Sequence, residues 1–146
     1  MTLSKKNVEP VLLDLNRNIE LYADRGVDMI FSASDRSNIN FPPNGGLTES
    51  ESKQLDLIGA NEDLKSAIRK IIANASAGVV FQLLTVVDGV ATPDNAGPDW
   101  TGLKLIDEDF SEVSGDYGDM LHDSFFESYW PWLEQRPPNT WKLDNL

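Results

Sequence analysis

LKSAIRKIIANASAGVVFQLLTVVDGV, residues 64–90, decides the fold. Apolar residues recur at Leu64, Ile68, Ile71, Ala75, Val79, Leu83, Val86 and Val90, in steps of three and four that hold one helical face for about seven turns. Val80, Phe81, Leu84 and Val87 flank that face, so the helix is expected to be the buried centre of the fold. The rival reading is a buried strand over Val79–Val87 that turns at Asp88-Gly89, and the unbroken 3.6-residue period from Leu64 favours the helix. Gly78 costs a helix interior about 1 kcal/mol and is where a break is expected.

Upstream, Asn61 is placed to cap this helix, and Thr48 with Glu51 forms a capping box for a shorter one that stops at Gly59. Ser32 to Gly46, with Pro42-Pro43-Asn44-Gly45-Gly46, reads as a loop. Before it, Val8, Leu12, Leu15, Ile19 and Tyr22 define an amphipathic helix with Pro10 in its first turn and Gly26 at its end. Val27–Phe31 is open between a strand and a second short helix. Downstream, residues 91–100 form a loop, and Leu103–Asp107 alternates like a short strand that Thr140–Leu143 could pair with. Between them Tyr117–Trp130 reads as a helix that Pro131 breaks or kinks. The expectation is one globular domain over 1–146, α+β but predominantly α-helical, with a long central helix and two or three short strands.

Charge is distributed unevenly. The chain holds 24 acids against 12 bases, for a net charge of −12. Residues 88–135 contain 12 of those acids and only one base, Lys104. Such a field repels nucleic acid and anionic membranes and steers a basic protein partner towards it. There is no cysteine, which excludes disulfides, thiol catalysis and thiolate metal sites. Two lysines near the N-terminus lead into no apolar stretch, and the longest mostly apolar run, Ala77–Val87, is short for a membrane span. The compartment expected from these features is the cytoplasm.

The acidic third interleaves carboxylates with aromatics. Asp107, Asp109, Glu112, Asp116, Asp119, Asp123 and Glu127, with Tyr129, Trp130 and Trp132, form the candidate partner-binding set. On a helix over 117–130, Asp116, Asp119, Asp123 and Glu127 would share one face, with core packing as the ordinary role of most of the aromatics. His122 is the only histidine; Asp119, His122 and Asp123 at i, i+3 and i+4 are weak metal candidates, since the spacing is unspecific and no second histidine exists. No phosphate-binding glycine loop, nucleophile elbow or zincin motif occurs, so no cofactor and no catalytic residue is assigned.

Two stretches, Val80–Ala91 and Met120–Trp130, together resemble small bacterial cytosolic proteins of the kind found as immunity proteins to secreted toxins. That resemblance implies a non-enzymatic protein that blocks a partner. The leading expectation is therefore an acidic protein-binding domain, an immunity protein against a basic, nuclease-type toxin. The alternatives are a self-associating structural or accessory protein, hence a homo-oligomer, and a metal-assisted or sugar-active enzyme.

Overall fold

The computed structural model describes residues 2–43, 45–111 and 115–137. Among them lie five α-helices and a 3-10 turn: α1 (Lys5–Phe31), the turn (Asp35–Asn38), α2 (Glu49–Asp56), α3 (Glu62–Val87), α4 (Leu121–Glu127) and α5 (Tyr129–Gln135). No strand occurs among the described residues, so the chain is all-α and the expected α+β class with short strands is corrected. The reason is visible at Leu103–Asp107, which does run beside another segment: Asp107 N–H donates to the Thr2 carbonyl, and the Thr2 hydroxyl donates to the Leu105 carbonyl. Only Thr2 and Leu3 are available to pair, because α1 starts two residues later, and a ladder needs a longer run. Thr140–Leu143 lies outside the described residues.

The chain divides into two compact units. The first joins residues 2–18 to 76–137, and its core is Leu3, Val8, Leu12, Leu84, Tyr117, Leu121 and Phe125. Here α1 begins at Lys5 rather than near Val8, so Pro10 sits one turn further into the helix than expected. Carboxylates distant in sequence permit the early start. Asp107 Oδ2 accepts from Ser4 N at 3.0 Å and Ser4 Oγ at 2.5 Å, and Asp116 Oδ1 accepts from Lys5 N at 3.0 Å. They satisfy N–H groups that a helix N-terminus leaves without acceptors.

α4 starts at Leu121, four residues later than expected, because Tyr117 N–H is bonded to the Leu3 carbonyl instead. Pro131 does not end the helical segment. It occupies the first turn of α5, where a missing N–H costs nothing, and the break falls at Ser128. Ser128 Oγ donates to the Phe125 carbonyl and accepts from Asn16 Nδ2, tying that joint to α1.

The second unit spans residues 19–75 of the described chain. Gly26 does not terminate α1: the helix continues to Phe31, and a Cβ at Gly26 would lie 2.7 Å from Ile72 Cδ1. The glycine serves a close helix–helix approach, not a cap, and Val27–Phe31 is helical. α1 ends instead on Arg36, whose guanidinium donates to the Met29 and Ile30 carbonyls, and to the carbonyl and Oγ of Ser52 and to Asp56 Oδ1 in α2. α2 keeps its capping box but stops at Asp56, three residues short of Gly59. Arg69 of α3 is fully buried; its Nε donates to Asp24 Oδ1 at 2.5 Å, and Nη2 lies 3.9 Å from Glu20 Oε2.

α3 is helical through Val79–Val87 and unbroken at Gly78, with Asn61 Oδ1 capping Leu64 N–H at 2.8 Å. It is not the buried centre. Ala73, Leu84, Thr85 and Arg69 are buried, but Ile71, Val79 and Leu83 are largely exposed. By length and composition alone α3 could cross a membrane, with a mean hydropathy of 1.6 over its most apolar window.

Candidate partner-binding surface

The acids that the sequence groups into one set divide into two kinds. Asp107 is buried and spends its carboxylate on Ser4. The hydrogen bond from the Ser4 side chain, opposed by burial, holds its carboxyl below the usual aspartate range. Asp116 caps Lys5, and Asp109 pairs with Lys6 at 2.9 Å, where its hydrogen bond pushes the ammonium up from the ordinary lysine value. Asp107 and Asp116 thus complete the N-terminus of α1, and Asp109 adds a side-chain ion pair to its first turn. Glu112 lies outside the described residues.

Asp119, Asp123 and Glu127 are different. All three are exposed, and among the described residues none forms an ion pair with Lys or Arg. Asp123 and Glu127 stand one turn apart on α4, while Asp119 precedes the helix, so the expected four-acid helical face is reduced to two acids plus a neighbour. Their influence is felt inwards at Tyr117, whose phenol is raised first by burial and then by Asp119, Asp88 and Glu127, against a hydrogen bond with Ser124.

The aromatics are sorted by the joint at Ser128. Phe126 and Trp130, four residues apart across it, are each 56% exposed. Tyr129 and Trp132 are half-buried; Tyr129 stands edge-on to Trp130 at 5.6 Å, and the Trp132 indole N–H is buried without an acceptor among the described residues. Phe126 was missed by sequence reasoning. Its ring lies against Phe81 at 5.2 Å and Phe125 at 5.3 Å, so one side is fixed and the other faces solvent. The Phe125-Phe126 doublet was the available signal, because adjacent helical residues point about 100° apart, so with Phe125 at the centre of the buried face Phe126 falls at its edge.

His122 is a structural link. Its Nδ1 lies 2.6 Å from Asp88 Oδ2, its backbone N–H donates to the same oxygen at 2.9 Å, and its ring meets Phe81 edge-on at 5.5 Å. Asp88, just past the end of α3, thus caps the start of α4. The other ring nitrogen, Nε2, is 3.6 Å from Asp123 Oδ1. Among the described residues no three His, Asp or Glu side chains converge to hold a metal, so Asp119, His122 and Asp123 are not brought together as ligands. No protein-family model, curated protein or solved structure matches this chain.

Proposed function

We propose that the chain is a non-enzymatic, cytoplasmic protein-binding domain of bacterial immunity type, which blocks a basic partner of the nuclease-toxin class through the α4–α5 surface. One observation carries the reading: Phe126 and Trp130, four residues apart, are exposed on the same segment as three exposed carboxylates, Asp119, Asp123 and Glu127, that have no Lys or Arg partner among the described residues. Rigid aromatics rimmed by charge are what interface hot spots are built from. A nuclease holds phosphates with Lys and Arg, and carboxylates can occupy such a site by mimicry. Both stretches that resemble immunity proteins adjoin this surface, Val80–Ala91 at the end of α3 and Met120–Trp130 along α4 and α5.

The test separates the working acids from the structural ones. Asp119, Asp123 and Glu127 are replaced together by Lys, and Phe126 and Trp130 by Ala in a second variant. Each is used to capture partners from extract of the native host at low and high salt, with capture identified by mass spectrometry. Wild type is expected to retain a basic protein whose binding falls as salt screens charges beyond about 8–10 Å. Both variants should lose it; the Lys variant should melt close to wild type, since these exposed acids contribute within about 1 kcal/mol each, and the Ala variant should melt lower, by about 0.5–1.5 kcal/mol for each ring contact that Phe126 makes with Phe81 and Phe125. Unchanged capture by the Lys variant refutes the proposal.

A further inference from the structure

The first unit holds an apolar hollow of about 280 Å³ between the start of α1 and the segment 105–108. Its floor is core: Leu12, Leu84 and Leu121 are buried, and they come from α1, α3 and α4. Its mouth is open, because Val11, Leu105 and Ile106 are at least half exposed. Nine of the twelve lining residues are aliphatic. Of the other three, Asp107 and Asn7 are already engaged, Asp107 with Ser4 and Asn7 with Asp107. That leaves Glu108, which is exposed and whose carboxylate has no hydrogen bond or ion pair among the described residues. An apolar hollow with one free charged group beside it has the composition of a small-molecule site.

We propose that this hollow binds an amphiphilic amine, whose alkyl chain enters it while the ammonium group pairs with Glu108. Charge selects an amine over a carboxylic acid. Residues 88–135 carry 12 acids against one base, so the field there concentrates cations and repels anions. That one base, Lys104, fixes which end takes the head group. It lines a neighbouring hollow of about 260 Å³, which shares Leu3, Leu105 and Leu121 with the first, and it turns an ammonium away from that side. Size selects the chain. At about 30 Å³ for a water-sized group, 280 Å³ holds roughly eight or nine methylenes. Each methylene taken out of water strengthens binding about fourfold, so affinity should climb with chain length until the hollow is full.

Titrating the full chain with butylamine, hexylamine, octylamine and decylamine, followed by amide chemical shifts in NMR, tests this. Affinity should rise about fourfold per methylene as far as octylamine and then level off, with the shifts centred on Leu84, Leu105 and Leu121. Octanoate, of the same length and opposite charge, should bind more weakly. Glu108→Gln should weaken octylamine about two- to fivefold, the worth of an exposed ion pair, and Glu108→Lys should cut the preference for octylamine over octanoate by about fivefold or more. Both variants should keep the wild-type far-UV CD spectrum, since Glu108 is exposed. Equal binding of octylamine and octanoate, a preference that Glu108→Lys leaves intact, or no saturable binding of octylamine overturns the proposal. So do shifts centred on Phe126 and Trp130, which would place the amine on the α4–α5 surface instead. Capture of a protein partner through Asp119, Asp123 and Glu127 needs neither Glu108 nor the hollow, so failure here is distinguishable from failure of the binding function above.

Discussion

Replacing Arg36 by Met should destabilise the second unit by about 2–4 kcal/mol. α2 buries none of its residues, and Arg36, only 8% exposed, is the side chain that fastens it to the end of α1. Its five hydrogen bonds run to four residues: Met29 and Ile30 on one side, Ser52 and Asp56 on the other. Asp56 is more than half exposed, so the ion pair itself contributes at most about 1 kcal/mol. The larger part comes from the carbonyls of Met29, Ile30 and Ser52, which accept charge-assisted bonds worth roughly 1.5–3 kcal/mol apiece, taken less than additively because water reaches part of the site once the guanidinium is gone. With a urea m-value near 2 kcal/mol/M, the midpoint should fall by about 1–2 M. Far-UV CD reads that shift, and hydrogen exchange should show the α2 amides losing protection before those of α3. Arg36→Lys should recover less than half, since one ammonium cannot reach both sides of the fork. A Met variant within about 0.5 kcal/mol of wild type, or a Lys variant equal to it, would refute the reasoning.

Two further outcomes follow from the packing. Asp107 has a folded pKa below its unfolded value of about 3.9, so its stabilisation is complete above that value and is lost as pH falls through the folded one. Asp107→Asn should therefore melt below wild type at neutral pH, and the gap should close as pH drops below about 4; a gap that stays constant into acid would count against the Ser4 contact as its source. At Gly26, the gain from replacing a helical glycine by Ala, about 0.5–1 kcal/mol, opposes a 2.7 Å clash with Ile72 Cδ1. Gly26→Ala alone should be near neutral by chemical denaturation, and it should stabilise by about that gain when made in an Ile72→Val background, where the clashing methyl is gone; equal effects in both backgrounds would disprove the coupling.

What the sequence made legible was local. The period from Leu64, the Asn61 cap and the Thr48–Glu51 box each depend on residues within a few positions of one another, and all three are present. What it hid depends on distant partners. Gly26 carries the signature of a helix end, but Ile72 explains it. Arg36, in a Ser- and Asn-rich loop, gave no sign that two helices would converge on it. Pro131 marks a discontinuity correctly, yet the break lies at Ser128, where proline can begin the next helix. The acidic third reads as one surface because composition cannot separate Asp107 and Asp116, which cap α1, from Asp123 and Glu127, which face water.

The N-terminal caps also set an order of events during synthesis. Ser4 and Lys5 are separated from their acceptors by 103 and 111 residues, whereas the partners of Arg36 and Arg69 named above all lie between residues 20 and 56. At ribosomal rates of about 5–20 residues per second, roughly 5–20 s pass between emergence of Ser4 and of Asp107. In that interval the Arg36 and Arg69 clusters can close, while the first turn of α1 has no acceptor for its N–H groups and the closure of a loop of about 100 residues still lies ahead. A nascent chain arrested before Asp107 should therefore show protection around Arg36 and Arg69 and a frayed start to α1, where one end of the first unit waits for the other.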